Sequence, residues 1–188
     1  IVAIAAEAFK NNLAIESVYI SGSVKEIGNS AFYGCSNLTT LVFTSKGIEK
    51  IGGYAFYGTS FTTVALPLEN LTEVGAYAFK QDKLQYFTRY EGEENRMIYT
   101  KDESDATASV EFTGLKPGMF FLLGGSSTQP VSLVKYVSMT ETTDPGDSSI
   151  KVKMYDVDLI AVAGGSTLTT FTVGYTTRTF LNNVDGRD

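Results

Sequence analysis

The 188-residue chain contains no histidine, no tryptophan and a single cysteine, Cys35. Without histidine, Ser-His-Asp and Cys-His catalytic arrangements and imidazole-held metals are excluded. One cysteine forms neither an internal disulfide nor a thiolate cluster. No apolar run approaches the ~20 residues of a bilayer-spanning helix. The opening Ile-Val-Ala-Ile-Ala-Ala lacks the charged start of a secretory signal. Positive charge is also scarce: 15 basic groups stand against 21 acidic ones, and residues 1–94 and 95–188 each carry a net −3. With no basic arm or stripe, the balance argues against nucleic acid as a partner. Hydrophobic residues reach 43% and charged residues only 19%, the composition of a folded globular chain. No reaction and no cofactor can be read from it.

A repeat organises the first half. Ala-Phe recurs at Ala8-Phe9, Ala31-Phe32, Ala55-Phe56 and Ala78-Phe79, with the phenylalanines 23, 24 and 23 residues apart. Other columns keep the phase: Ile1, Val24, Ile48 and Leu71; Ile4, Ile27, Ile51 and Val74; then Ala5, Gly28, Gly52 and Gly75. After each phenylalanine come Ile15, Leu38, Phe61 or Leu84, and three residues further on Val18, Leu41, Val64 or Phe87. One unit has too little apolar surface for a core, so the pattern predicts a solenoid of stacked coils. The stretches 17–21, 40–44, 63–67 and 86–90 alternate with period two and read as short parallel strands. Val18/Ile20, Leu41/Phe43 and Val64/Leu66 face inward; Tyr19, Val42, Ala65 and Thr88 face outward. The Ile-Gly-x-x-Ala-Phe stretch is expected to return the chain through a turn or short helical turn, with glycine supplying unusual backbone angles.

The run Val24 to Leu41 (VKEIGNSAFYGCSNLTTL) closely resembles the BspA-like class of leucine-rich repeat, and the resemblance covers about residues 1–90. It implies a secreted or surface-anchored protein, typically bacterial, that binds other proteins or host surfaces. Copy one departs from the pattern at Ala5. Copy four lacks the Phe-Tyr-Gly ending and places Arg89 in a core column, which marks the end of the stack. Ile1 already occupies an apolar column with nothing before it to cap the stack, which implies a fragment from which a signal has been removed, with room for more repeats before it. Cys35 fills a slot held elsewhere by Thr59 or Asp82 and reads as a small packed thiol.

After Tyr90 the rhythm stops, so residues 1–90 and 91–188 read as two domains, the second an antiparallel β-sandwich. Its strands are expected near 97–100, 108–113, 119–123, 131–139, 150–155, 158–163 and 167–179, separated by Gly-, Pro- and Asp-rich turns. Ile150, Val152 and Met154 would face inward and Lys151, Lys153 and Tyr155 outward. Residues 114–121 (GLKPGMFF) resemble the Leu-x-Pro-Gly corner of immunoglobulin-like and fibronectin type III sandwiches, with Phe121 where a corner tyrosine stands; the alternative is an ordinary Pro-Gly turn.

The outward strand face is the first candidate site: Tyr19, Thr40, Val42, Thr63, Ala65, Tyr86, Thr88 and Tyr90, together with Ser17, Ser21 and Thr44. It is uncharged and rich in hydroxyls, suited to adaptable protein or glycan contacts. The leading function is non-catalytic binding of a protein or glycan on another cell or matrix. The alternatives are a spacer whose sandwich mediates attachment, and glycan stacking on Tyr155 or Tyr175. Asp102/Glu103/Asp105, Asp144/Asp147, Asp156/Asp158 and Asp185/Asp188 lack a full calcium-loop pattern and read as solvated turns. Asn37-Leu-Thr39 and Asn70-Leu-Thr72 match the glycosylation pattern with a core leucine in the middle and read as chance matches.

Overall fold

A computed structural model describes residues 2–99, 114–124, 130–143, 145–149, 151–163, 170–173, 176–179 and 182–183. The repeats form coils whose strands are, in chain order, β1 (Ala3–Ile4), β2 (Ser17–Ile20), β3 (Glu26–Ile27), β4 (Thr40–Phe43), β5 (Lys50–Ile51), β6 (Thr63–Ala65), β7 (Glu73–Val74) and β8 (Tyr86–Thr88). The two-residue strands make an unbroken parallel ladder in the order β1-β3-β5-β7, with Ile4, Ile27, Ile51 and Val74 in register. The longer strands pair as β2-β4 and β6-β8.

No ladder joins β4 to β6, and the sequence explains the break. Eight residues separate Phe9 from Ser17 and Phe32 from Thr40, but seven separate Phe56 from Thr63 and Phe79 from Tyr86. The first two coils therefore share one corner length and the last two another. In addition, the Thr44 amide donates to the Ile20 carbonyl at 2.9 Å. One coil later that position is Pro67, which has no N–H to offer the Phe43 carbonyl. The Tyr90 hydroxyl donates to that carbonyl instead, at 3.3 Å.

The returning arcs are successive turns, the first of the two forms expected, and not helical turns. Alternate arc amides reach the next coil: Phe9 to the Ala31 carbonyl, Phe32 to Ala55 and Phe56 to Ala78, each at 2.8 Å. Glu7, Ser30, Tyr54 and Tyr77, one per coil, take left-handed φ of 57–60°. The repeat glycines serve a different need from the one anticipated. A Cβ at Gly28 would lie 2.5 Å from the Ala6 nitrogen, and one at Gly52 would lie 2.5 Å from the Asn29 nitrogen. Glycine is required there for close coil approach, not for backbone angle. Both glycosylation-like triplets belong to the coil bonding. Asn37 and Asn70 each donate from Nδ2 to the preceding coil, to Leu13 and Lys46 carbonyls at 2.8 Å.

Phe9, Phe32, Phe56 and Phe79 stack with centroids 5.2, 5.4 and 5.5 Å apart and planes within 19° of parallel. Phe32, Phe56 and Phe79 are buried, whereas Phe9 is 40% exposed. Cys35 is buried as expected, its thiol donating to the Phe9 carbonyl at 3.0 Å.

Beyond the coils, a 3-10 turn (Glu94–Arg96) leads into β9 (Met97–Tyr99). Then follow β10 (Phe120–Gly124), β11 (Pro130–Thr143), β12 (Lys151–Val162), β13 (Thr170–Val173), β14 (Thr176–Thr179) and β15 (Asn182–Asn183). The order is β15-β12-β11-β10-β9, with β10, β11 and β12 antiparallel and the two edges parallel; β13 and β14 pair separately. Where two strands were expected across 150–163, β12 runs through, with its pairing shifted between Tyr136 and Ser138. Tyr155, Val157 and Leu159 therefore share one inward face. Tyr155 is buried against Tyr136, centroids 5.7 Å apart, not exposed as predicted. The expected strand at 108–113 and the side chains of 150–154 and Tyr175 lie outside the described residues.

Pro117-Gly118 is a tight turn into β10, with Gly118 at φ 93° and its amide on the Tyr136 carbonyl at 2.7 Å. One face of the sheet, with Phe120, Leu122, Leu133 and Ile160, joins the same core as the coil residues. The opposite face gathers Phe121, Leu123, Val134 and Tyr136 with the Tyr155 row.

At the junction the buried Glu93 carboxylate accepts the Leu68 and Glu69 amides, each at 2.9 Å, and buried Arg96 donates from Nη1 to the Phe120 carbonyl at 3.2 Å. Arg89 is exposed, 3.9 Å from Glu94, consistent with the stack ending there.

Phe56→Ala is expected to lower unfolding free energy by about 3–5 kcal/mol. Phe9→Ala, on an open ring, should cost less than half of that. Urea titrations of both variants check the difference, and equal losses would remove the stacked column from the core.

Candidate functional site

The strand face is held by two parallel pairs, so its outward residues align in columns. Ser17 is opposite Thr40 and Tyr19 opposite Val42; Thr63 is opposite Tyr86 and Ala65 opposite Thr88. The break between β4 and β6 divides the face into two halves. Exposure falls along it: Tyr19 is 66% exposed and Val42 38%, while Thr40, Thr63, Ala65, Tyr86 and Thr88 are half-buried. Strand β11 runs close beside β8 and accompanies the loss of openness at that end. Tyr90 does not belong to the outward face. It follows β8, is half-buried against the core and points its hydroxyl at the Phe43 carbonyl. The more open half is thus Tyr19 and Val42 with the exposed Ser17, Ser21 and Thr44.

The columns carry no ionisable group other than tyrosine. The ion pairs between coils, Lys25–Glu49 at 3.4 Å and Lys46–Glu69 at 2.8 Å, sit at other positions of the coil. Lys46 holds the Glu69 carboxyl below the usual carboxylate range, and Glu69 in turn raises the Lys46 ammonium. Both groups are open to solvent, so the pair adds little to stability.

A second cluster went unnoticed in the sequence. Tyr33 and Tyr57 each follow the repeat phenylalanine, and Tyr54 and Tyr77 occupy the left-handed slot two residues before it. Tyr33 stacks on Tyr57 with centroids 5.0 Å apart, and Tyr54 stacks on Tyr77 at 4.9 Å. The two columns tilt together, Tyr54 standing at 50° to Tyr57 and 48° to Tyr33. The Lys10 ammonium lies 5.6 Å from the Tyr33 ring centre and that of Lys80 5.1 Å from Tyr77. Tyrosine at matching repeat positions was the signal that could have shown it. Upstream in the same arcs, a shallow groove of about 440 Å3 is floored by small residues including Gly28 and Gly52, with Glu26, Asn29, Lys50 and Glu73 along it.

Among the described residues, no three acidic or cysteine side chains gather as a metal site. Asp147 is occupied locally, accepting the Ser149 amide at 2.9 Å and hydroxyl at 2.7 Å, bonds that lower its acidity range. Asp156 accepts the Ser138 hydroxyl at 3.0 Å. Asp102, Glu103, Asp105, Asp144, Asp185 and Asp188 lie outside the described residues. Among the described residues, no helix is long and apolar enough to cross a membrane.

Burial raises the Cys35 thiol above its ordinary range, so the folded chain keeps it protonated. Above about pH 8.5 the unfolded chain releases that proton more readily, and stability declines as pH rises further. Labelling with a disulfide reagent at pH 8 is expected to track urea unfolding; rapid labelling of the native chain would contradict the packed thiol.

Among protein families, the one described as "BspA type Leucine rich repeat region (6 copies)" matches residues 2–99. No curated protein matches the chain. Two solved structures resemble it. One is the leucine-rich repeat protein of T. pallidum, 19% identical with a TM-score of 0.39, covering 68% of this chain and 64% of that one. The other is a leucine-rich cell surface protein from Faecalibacterium prausnitzii, 17% identical with a TM-score of 0.37, covering 87% of this chain and 50% of that one. The chain thus spans less than two thirds of the length of either.

Proposed function

The chain belongs to the BspA-type leucine-rich repeat family, and from that premise we propose a non-catalytic, surface-exposed or secreted binding module, of bacterial source, that engages a protein on another cell or matrix. The strand face is the contact, with Tyr19 and Val42 at its centre and Thr40, Thr63, Ala65, Tyr86 and Thr88 continuing it. The observation that carries this reading is Tyr19, two-thirds exposed on a paired, in-register strand with no charge in its column. Tyrosine offers a large amphipathic contact at low entropic cost, and neighbouring hydroxyls adapt to many acceptors. The coils hold these side chains before any partner arrives, which limits the ordering cost of association.

A second reading makes residues 1–90 a spacer and 91–188 the attachment module. The single core that runs from the coils into the C-terminal sheet supports it, because a shared core transmits position rigidly. Stacking of glycans on Tyr155 is withdrawn, since that ring is buried.

The test measures the full chain on immobilised matrix and plasma proteins by surface plasmon resonance. Tyr19→Ser combined with Val42→Ser is expected to weaken binding at least tenfold, the effect of losing an interface anchor of more than about 1.4 kcal/mol. The melting temperature should stay within about 2 °C of the parent, since surface changes stay within about 0.5 kcal/mol. Unchanged binding would move the contact off this face.

A further inference from the structure

We propose that the tyrosine cluster on the returning arcs is a carbohydrate site for a neutral pyranose oligosaccharide, with the open face of Tyr54 as its stacking platform. This surface is separate from the strand face and does not depend on it.

The first support is backbone conformation. Coil geometry imposes left-handed φ at two positions: one is held by Asn11, Gly34 and Gly58, residue types suited to it, and the other by Glu7 and Ser30 in the first two coils and by Tyr54 and Tyr77 at 58° and 60° in the next two. Glycine or asparagine fits such a slot at least cost, whereas a bulky residue there costs on the order of 1–2 kcal/mol. Stacking of the two rings returns roughly 0.5–1.5 kcal/mol. The fold therefore gains little from holding aromatic rings there.

The second support is the ring face left free. Tyr77 covers one side of Tyr54; on the other side, the neighbour in the column is Ser30, which has no ring. Tyr33 and Tyr57 meet Tyr54 at an angle, with centroids 6.2 and 5.5 Å away and planes 48° and 50° apart, so neither stacks on that side, and Tyr54 remains 40% exposed. A ring with one unstacked face and other rings set at an angle to it suits the apolar C–H face of a sugar.

The third support is polar chemistry next to the platform. Gly52 and Asn29 belong to the groove, and each lies one or two residues before Tyr54 or Ser30 in the chain. Glu26 and Glu73 along that groove are planar acceptors suited to the paired hydroxyls of a sugar, while the Asn29 Oδ1 already accepts the Gly53 amide at 2.9 Å; a few such groups fix orientation in small-ligand sites. Charge nearby is mixed: Lys50 stands 4.0 Å from Glu73 and Lys10 3.0 Å from Glu7, Lys80 lies on the Tyr77 ring and Glu26 adds an acid to the groove, a balance poorly suited to a sulfated polymer. The ligand class is therefore neutral.

The experiment titrates the full chain with hexasaccharides of β-1,4-linked glucose, N-acetylglucosamine and mannose, and with a heparin hexasaccharide, by calorimetry and NMR. At least one neutral sugar is expected to bind with a dissociation constant on the order of 1 mM or tighter. Tyr54→Gly suits the left-handed slot and should keep the melting temperature while weakening sugar binding at least tenfold. Tyr54→Asn serves equally if the glycine variant misfolds. Tyr19→Ser should leave sugar affinity unchanged, which separates this site from the strand face. The proposal is overturned by no neutral sugar binding at 10-fold above that concentration, by binding that survives Tyr54→Gly and Tyr54→Asn, by equal loss in Tyr19→Ser, or by preferential binding of heparin.

Discussion

Each coil of the solenoid satisfies much of its backbone through its neighbours. On the strand sides, amides of a later coil reach carbonyls of the earlier one, as Gly28 to Ile4 and Gly52 to Ile27. On the arcs the direction reverses, as Phe32 to Ala55. A coil therefore gives and receives on both of its faces, and one taken alone would leave buried donors and acceptors unpaired, each at about 1–3 kcal/mol. That requirement fixes the distance between coils. Gly28 and Gly52 follow from it, because the backbones pack too closely for a Cβ. So does the alternation of buried Ala31 or Ala55 with a stacked phenylalanine.

The same requirement governs how the repeat stops. Pro67 removes a donor that the regular coil would supply, and the Tyr90 hydroxyl replaces it. Glu93 follows Asn70 by one repeat length, and its carboxylate takes the amides of Leu68 and Glu69. Burying a carboxylate is unfavourable unless charge-assisted hydrogen bonds compensate. Here side chains take over work that a further coil's backbone would do, and Phe120, Leu122 and Leu133 of the sheet extend the apolar core. The change in sequence near residue 90 is thus a change in how backbone is satisfied. Across it the coil core continues onto one face of the sheet, while the other face carries its own apolar cluster.

Much of this was legible. The 23-residue period alone sets Phe32, Phe56, Ile27 and Ile51 in columns, and period two separates exposed Tyr19 from buried Ile20. What the period hides is the relation between coils. It shows that Gly28 recurs as Gly52 and Gly75, but a recurring glycine signals either an unusual angle or a close neighbour, and only the coil spacing decides. The left-handed position passed unseen because its occupants, Glu7, Ser30, Tyr54 and Tyr77, share no chemistry. Tyr155 was misplaced for a local reason. Asp156 and Asp158 read as a turn, but a shifted pairing opposite Val137 lets the strand continue and keeps Tyr155 in phase with Val157 and Leu159. In the strand face, Tyr90 was misassigned because Pro67 made its hydroxyl necessary inside.

In a repeat, inward positions are constrained by their own copies above and below, so their residue types persist from coil to coil. Outward positions are released from that constraint, and departures there carry information about something other than stacking. Along one outward column, tyrosine gives way to Val42, Ala65 and Thr88, and exposure falls with it. Along the arc column the trend runs the other way, from Glu7 and Ser30 to Tyr54 and Tyr77 at a backbone angle unfavourable to both rings. The packing of the repeat requires neither tyrosine, since Ser30 fills the same slot with the same φ and the same hydrogen bond to the next coil. A large residue that the stack does not need, held rigidly where a smaller one suffices, is the observation on which the proposed carbohydrate site rests. Because both aromatic surfaces are carried on columns fixed by coil register, their side chains are already ordered, and association at the proposed sites would spend little of its free energy on arranging them.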